Sequence, residues 1–177
     1  VRLGEALALQ AEAVSCESVA NHFLEQASRE GRALTALQMN YLLYLAHGWH
    51  LAYMGKPLLR DWFWADRHGV KPLMFHRQLA KHGTAGIKGV FPSGPSAWDV
   101  EFSPPISQQG MDVLNHVWKT YACYSGVQLA GMCTLPDSPW AQAGAGQEEC
   151  SLSDEAIRDH FENKRAHYST GLKATSA

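Results

Sequence analysis

The sequence predicts a mainly α fold: a compact single domain of about six helices with a small β-hairpin. Three observations predict it. The chain has 177 residues, the length of one domain. Apolar residues recur three and four apart through most of it, the period of a buried helix face. Strict apolar–polar alternation is confined to one short run, residues 97–102, too little to build a sheet of its own. Residues 15–164 are taken as the domain. Residues 1–14 read as a leader or an expression remnant, and residues 165–177, small and polar, as a frayed tail.

The first helix is expected over residues 16–30, where Val19, Phe23 and Ala27 form one stripe beside Ala20 and Leu24, with Gly31 as its stop. The second starts at Thr35. Gln38 stands three residues on, so each side chain can satisfy the other residue's backbone N–H, a capping box. Leu37, Tyr41, Leu42, Leu45, Trp49 and Ala52 carry this helix to Gly55, and Leu43, Tyr44 and Leu51 make it apolar nearly all round. Such a helix belongs at the centre of a domain. Pro57 cannot continue it.

Residues 58–66 read as an extended segment or a turn, and residues 72–82 as a helix with Pro72 in its first turn. The alternating run 97–102 reads as a strand of the hairpin, paired with residues 86–91 or 59–64. Ser107 caps a helix to Tyr121 carrying Val113, Leu114, Val117 and Trp118. Ser125 and Gln128 repeat the capping-box spacing and open a short helix to Cys133. Residues 136–140 read as a rigid loop and 144–149 as a flexible one. Ser153, followed by Asp154 and Glu155, starts a last helix to Lys164, with acids where the helix dipole favours them.

Composition narrows the function. Fifteen basic residues against 17 acidic give a net charge of −2, which is no footprint for a phosphate backbone and disfavours nucleic acid as a partner. No apolar run is long enough to span a membrane and no signal-peptide pattern is present, so the expected location is cytoplasmic. The four cysteines, at 16, 123, 133 and 150, have neither C-x-x-C spacing nor a nearby histidine pair and read as scattered thiols. Nine histidines are many for this length; protonating all nine takes the net charge from −2 to +7.

No dinucleotide, phosphate-loop, nucleophile-elbow or zinc-protease motif occurs, so no catalytic residue, cofactor or metal site is assigned. His47 and His50 share a helix face but have no third ligand at matching spacing, and read as histidines bonded to loop backbone. Cys133 has no sequence neighbour to activate it. The acidic residues Asp154, Glu155, Asp159 and Glu162 alternate with Arg158 and Lys164 and read as a solvated face. Trp62, Phe63 and Trp64 cannot all face one core in an extended segment. Either the segment is covered on both sides or one ring is offered to a partner. The candidate partner surface is therefore Trp62, Trp64, Arg67, His68 and Lys71 together with Phe91 and Trp98, aromatic anchors beside charges.

In order along the chain, VANHFL at 19–24, LT at 34–35, LQ at 37–38, LLYLAHGWHL at 42–51 and GKPL at 55–58 resemble the Panacea domain, the SocA-like, phage-associated antitoxin family. RHGV at 67–70, the helix holding Val113, Leu114, Val117, Trp118 and Tyr121, the Ser138-Pro139-Trp140 loop and the closing helix extend the resemblance over nearly the whole chain. Trp49, Gly55, Pro57, Gly69, Ser138, Pro139 and Trp140 are its structural positions. Three positions depart from the pattern: Asn40 replaces a usual lysine, Val70 a turn proline and Thr134 a usual histidine. The resemblance implies a non-enzymatic module that neutralises a cognate protein toxin, encoded by an adjacent gene, by direct binding. The alternative is a phage- or effector-associated interaction domain, or an adaptor delivering its partner to a host protease.

Overall fold

The structure is a computed structural model and describes residues 12–92, 103–144 and 149–174. Its organising element is the apolar helix α2 (Ala36–Met54), which follows α1 (Cys16–Arg29). The capping box forms as the spacing dictates: Thr35 Oγ1 accepts from Gln38 N at 3.2 Å, and Thr35 N donates to Gln38 Oε1 at 3.1 Å. Gly55, at φ +67, ends the helix in the left-handed conformation that glycine adopts without strain. Residues from Met39 through Ala52 are all buried, because the helix is enclosed by its neighbours on every side.

Those neighbours are α1, β2 (Gly69–Pro72), α3 (His76–Ala80), α4 (Gln108–Tyr121), α5 (Gly126–Cys133) and α7 (Asp154–Ala174). Aromatic rings lock the contact with α7. Phe161 stands edge-on to Trp49 at 5.2 Å and to Tyr44 at 5.9 Å between ring centroids. Trp49 also donates its indole N–H to the Tyr121 hydroxyl on α4 at 3.1 Å. Each aromatic pair adds about 0.5–1.5 kcal/mol beyond its area burial.

Seven helices and a three-stranded antiparallel sheet make up the described residues, in line with the predicted mainly α class. The sheet has the order β2-β1-β3, with β1 (Phe63–Asp66) central and β3 (Cys150–Leu152) on its other side. A two-residue turn, Arg67-His68, joins β1 to β2, and Asp66 Oδ1 accepts from His68 N at 2.7 Å to hold it. Gly69 has φ +121, and a Cβ there would overlap the Tyr41 hydroxyl, so only glycine fits.

Strand β2 is an edge, and α2 covers it. Asn40 Nδ2 donates to Val70 O at 2.6 Å, and the Val70 N–H bonds the Tyr41 hydroxyl. Pro72 has no N–H to expose. The edge is thereby closed to further strand pairing.

Three expectations are corrected. Pro72 ends β2, opposite Phe63, and the helix expected at 72–82 is only His76–Ala80. Asp61 takes the cap role: its carboxylate accepts from Met74 N at 3.0 Å and Phe75 N at 2.8 Å, making a turn of residues expected to be helical. A hairpin forms from β1 and β2, and the expected strand at 97–102 lies outside the described residues; of its two expected partners, Phe63 and Trp64 of the 59–64 segment enter β1, while Gly86 bridges to Thr35. The loop at 136–140 holds a short helix, α6 (Pro139–Gln142), with Pro139 in its first turn and Ser138 Oγ accepting from Ala141 N at 3.3 Å. Finally α7 runs to Ala174, ten residues past the expected end at Lys164. Arg165 explains the extension: it donates to Ala52 O at 3.0 Å and lies 5.0 Å over the Tyr53 ring, tying the later turns to the end of α2.

Candidate partner-binding surface

Strand alternation sorts the three aromatics of β1 and its approach. Phe63 and Ala65 point inward and are 1% and 0% exposed. Trp62 and Trp64 take the outer face, where Trp62 is 63% exposed and Trp64 half-buried. One ring is thus offered outward, one of the two arrangements the sequence left open. Lys71 stands opposite Trp64 on β2 and Ser151 opposite it on β3. Leu73 donates its N–H to Trp62 O at 2.8 Å, which continues the ladder and sets Leu73 beside Trp62.

The turn that Asp61 caps then projects Met74, 62% exposed, next to Leu73, 39% exposed. Trp62, Leu73 and Met74 form one apolar patch bordering a hollow of about 460 Å³, whose other walls include Cys16, Arg60 and Gln78. Sequence reasoning missed Leu73 and Met74, because both were counted into a helix.

The hairpin tip is charged and braced. Burial pushes the Asp66 carboxyl up, but the Lys71 ammonium at 2.5 Å and the His68 N–H outweigh it and hold the group below the usual carboxylate range. Beneath, Trp140 donates its indole N–H to Asp66 O at 2.6 Å and joins the core, which anchors the turn to α6. Arg67 and His68 project outward from this braced tip.

Five expected residues, Trp62, Trp64, Arg67, His68 and Lys71, are therefore brought together on the hairpin. Phe91 is not with them: it is 5% exposed, packs on Phe75 at 4.8 Å, and its backbone is clamped by both ends of the Asn21 amide at 2.8 Å. Its ring belongs to the core and is withdrawn from the surface. Trp98 lies outside the described residues.

The other chemistry-bearing groups serve structure. His47, fully buried, accepts at Nδ1 from Leu59 N at 3.3 Å, which places its proton on Nε2, facing Asp154 Oδ1 at 2.9 Å. His50 donates from Nδ1 to Lys56 O at 2.8 Å, and burial holds its pKa down. Among the described residues no group of three His, Cys, Asp or Glu is placed to hold a metal ion. Burial pushes the Cys133 thiol up to about 12 and Cys16 well above its ordinary value, so neither supplies a thiolate nucleophile. No helix among the described residues is long and apolar enough to cross a membrane.

The three departures from the family pattern meet at one place. Asn40 bonds Val70, and Thr134 approaches the adjacent Gly69 from α5, where a Cβ on that glycine would stand 3.8 Å from Thr134 Cγ2. No protein-family model matches the chain, and no solved structure matches it at a significant level. The chain is similar to antitoxin SocA of Caulobacter vibrioides (strain NA1000 / CB15N), with 26% identity over 160 residues that cover 85% of this chain and 84% of SocA.

Proposed function

We propose that this chain is a SocA-like antitoxin of the Panacea type, which neutralises a cognate protein toxin by binding it directly. The observation that carries the reading is the similarity to antitoxin SocA along 85% of the chain, with the motif resemblance pointing the same way. The braced hairpin is the proposed contact surface. It sets an exposed tryptophan beside leucine, methionine and cationic side chains, the mixture found at interface hot spots. Blocking a partner requires a rigid surface and no catalytic group, and the buried Cys16 and Cys133 thiols are not activated as nucleophiles.

Co-expression with the product of the neighbouring gene tests this. The expected result is that the gene product alone arrests growth, that the chain restores it, and that the two co-purify. A chain that neither restores growth nor co-purifies refutes the reading. Restored growth that depends on a host protease, with the partner degraded, replaces blocking by delivery.

A further inference from the structure

The hollow of about 460 Å³ beside the hairpin patch has an apolar rim and acidic walls. Trp62, Leu73 and Met74, all exposed, make the rim. Glu17, in the first turn of α1, and Asp61, next to Trp62, line the walls, and both are half-buried. Their carboxylates are held in place by neutral donors. Glu17 Oε1 accepts from Gln78 Nε2 at 2.6 Å, and Asp61 accepts from Met74 N and Phe75 N. Among the described residues neither carboxylate forms an ion pair. Burial first, and then the charges of Asp61 and Glu17, hold the Cys16 thiol up, so both carboxylates stand close to that side chain of the wall. Arg60 also lines the hollow, but its Nε donates to Ala13 O at 2.8 Å. Two negative charges against one positive leave the walls acidic.

This chemistry selects an occupant. A group that enters strips water from the carboxylates, which is costly unless a hydrogen-bonding cation replaces it. An aliphatic side chain would suit the rim and leave both charges unmet. A carboxylate would be repelled. A guanidinium satisfies both parts of the hollow: its plane stacks on an exposed indole, its N–H edge donates to carboxylates, and its methylene stem lies along apolar side chains such as Leu73 and Met74.

We propose that this hollow receives an arginine side chain of the bound partner, its guanidinium paired with Glu17 and Asp61 and stacked on Trp62. The identity of the partner rests on the antitoxin reading; the chemistry of the hollow does not. Continuity points to the partner as the source, since Trp62, Leu73 and Met74 belong both to the rim and to the proposed contact surface, so a protein seated on that patch covers the hollow.

Nα-acetylarginine methylamide serves as the probe. Its citrulline counterpart, of the same shape without the charge, and its lysine counterpart, charged but not planar, are the controls. In NMR titrations of the full chain at low salt, the arginine probe is expected to shift the Glu17 and Asp61 amides and the Trp62 indole N–H. The citrulline probe should bind at least about tenfold more weakly, the scale of a hydrogen bond to a charged group, and the lysine probe should fall between the two. Glu17→Gln keeps the side-chain length and the acceptor for Gln78 while removing the charge. It should melt within about two degrees of the parent, lose most of the preference for arginine over citrulline, and bind the co-purified partner at least about tenfold more weakly. Replacing the partner's arginines by glutamine one at a time should find one whose loss is not additive with Glu17→Gln. Absence of shifts at these residues, citrulline or lysine binding as tight as arginine, partner binding at full strength by Glu17→Gln, or additivity at every arginine overturns the proposal. If the unaltered chain neither restores growth nor co-purifies with the neighbouring gene product yet prefers the arginine probe, the antitoxin reading falls and the chemistry of the hollow stands.

Discussion

Gly48 on the central helix faces the ring of Phe161 on α7 so closely that a Cβ at residue 48 would overlap three ring carbons. The approach is what allows Phe161, 1% exposed, to reach Tyr44 and Trp49 together. Gly48→Ala should therefore destabilise the fold by about 1–3 kcal/mol through overpacking, despite the higher helix propensity of alanine. Phe161→Ala should cost about 3–5 kcal/mol. Equilibrium denaturation measures both. A Gly48→Ala variant as stable as the parent would mean that α7 is not seated here.

Leu42, with no exposed surface, tests the central helix itself. Leu42→Ala should cost about 2–5 kcal/mol, the range for a core leucine. A melting shift below about one degree would contradict the enclosure of α2.

The readable parts of the fold are those set by neighbours in sequence. The Thr35–Gln38 and Ser125–Gln128 boxes, the Ser107 cap and the Gly55 stop all depend on residues within four positions, and each forms. The misread parts depend on distant partners. Asp61 caps the turn at 74–75 from 13 residues away, and without that contact the sequence offers only Pro72 as a helix start. β3 is three residues long, too short to show a period, and exists because it pairs with β1 across more than 80 residues. The site divides likewise. Parity in β1 orders Trp62, Phe63 and Trp64 locally. Phe91 is turned inward by Asn21, 70 residues earlier, which no spacing near Phe91 reveals.

Trp140 joins α6 to the hairpin through its bond to Asp66 O and its packing on the core. Trp140→Phe keeps most of the packing and removes the donor, so it should lose about 0.5–1.5 kcal/mol, and Trp140→Ala more. Amide exchange should quicken at Arg67 and His68 in both variants, because the turn loses its brace. Unchanged exchange at the turn would show that Asp66 is held by Lys71 and His68 alone.

Acid should destabilise this protein before its carboxylates titrate. Burial lowers the pKa of His22, His50, His76, His116 and His160 from the ordinary 6.5. Below that value the unfolded chain binds more protons than the folded one. The stability contributed by the neutral rings is thus complete above about pH 6.5 and is lost as pH falls toward the lowered folded values. The melting temperature should hold between pH 7 and 8 and decline from pH 6.5 to 5. His50→Gln should flatten that decline. A melting temperature that rises on acidification would reverse the sign and contradict the burial of these rings.

The hairpin surface is separable from the fold, because its most exposed members touch the core least. Trp62 is 63% and Met74 62% exposed. The double change Trp62→Ser, Met74→Ser should leave the melting temperature within about two degrees, as surface changes do. It should also weaken partner binding by about 2 kcal/mol or more, roughly thirtyfold, if Trp62 is the anchor of a hot spot. Phe91→Ala is the control of opposite character: with the ring in the core, it should cost about 3–5 kcal/mol of stability and affect binding only through unfolding. Arg67→Ala at the tip should act mainly on the association rate, and less so at high salt, as a rim charge does. Titration calorimetry with the co-purified partner checks the first two, and stopped-flow association at low and high salt checks Arg67→Ala. If the Trp62–Met74 double variant binds as tightly as the parent, the contact lies off this face. The exposed side of α7 around Arg158, where that guanidinium lies between Asp159 at 3.0 Å and Glu162 at 4.0 Å, is then the next surface to alter.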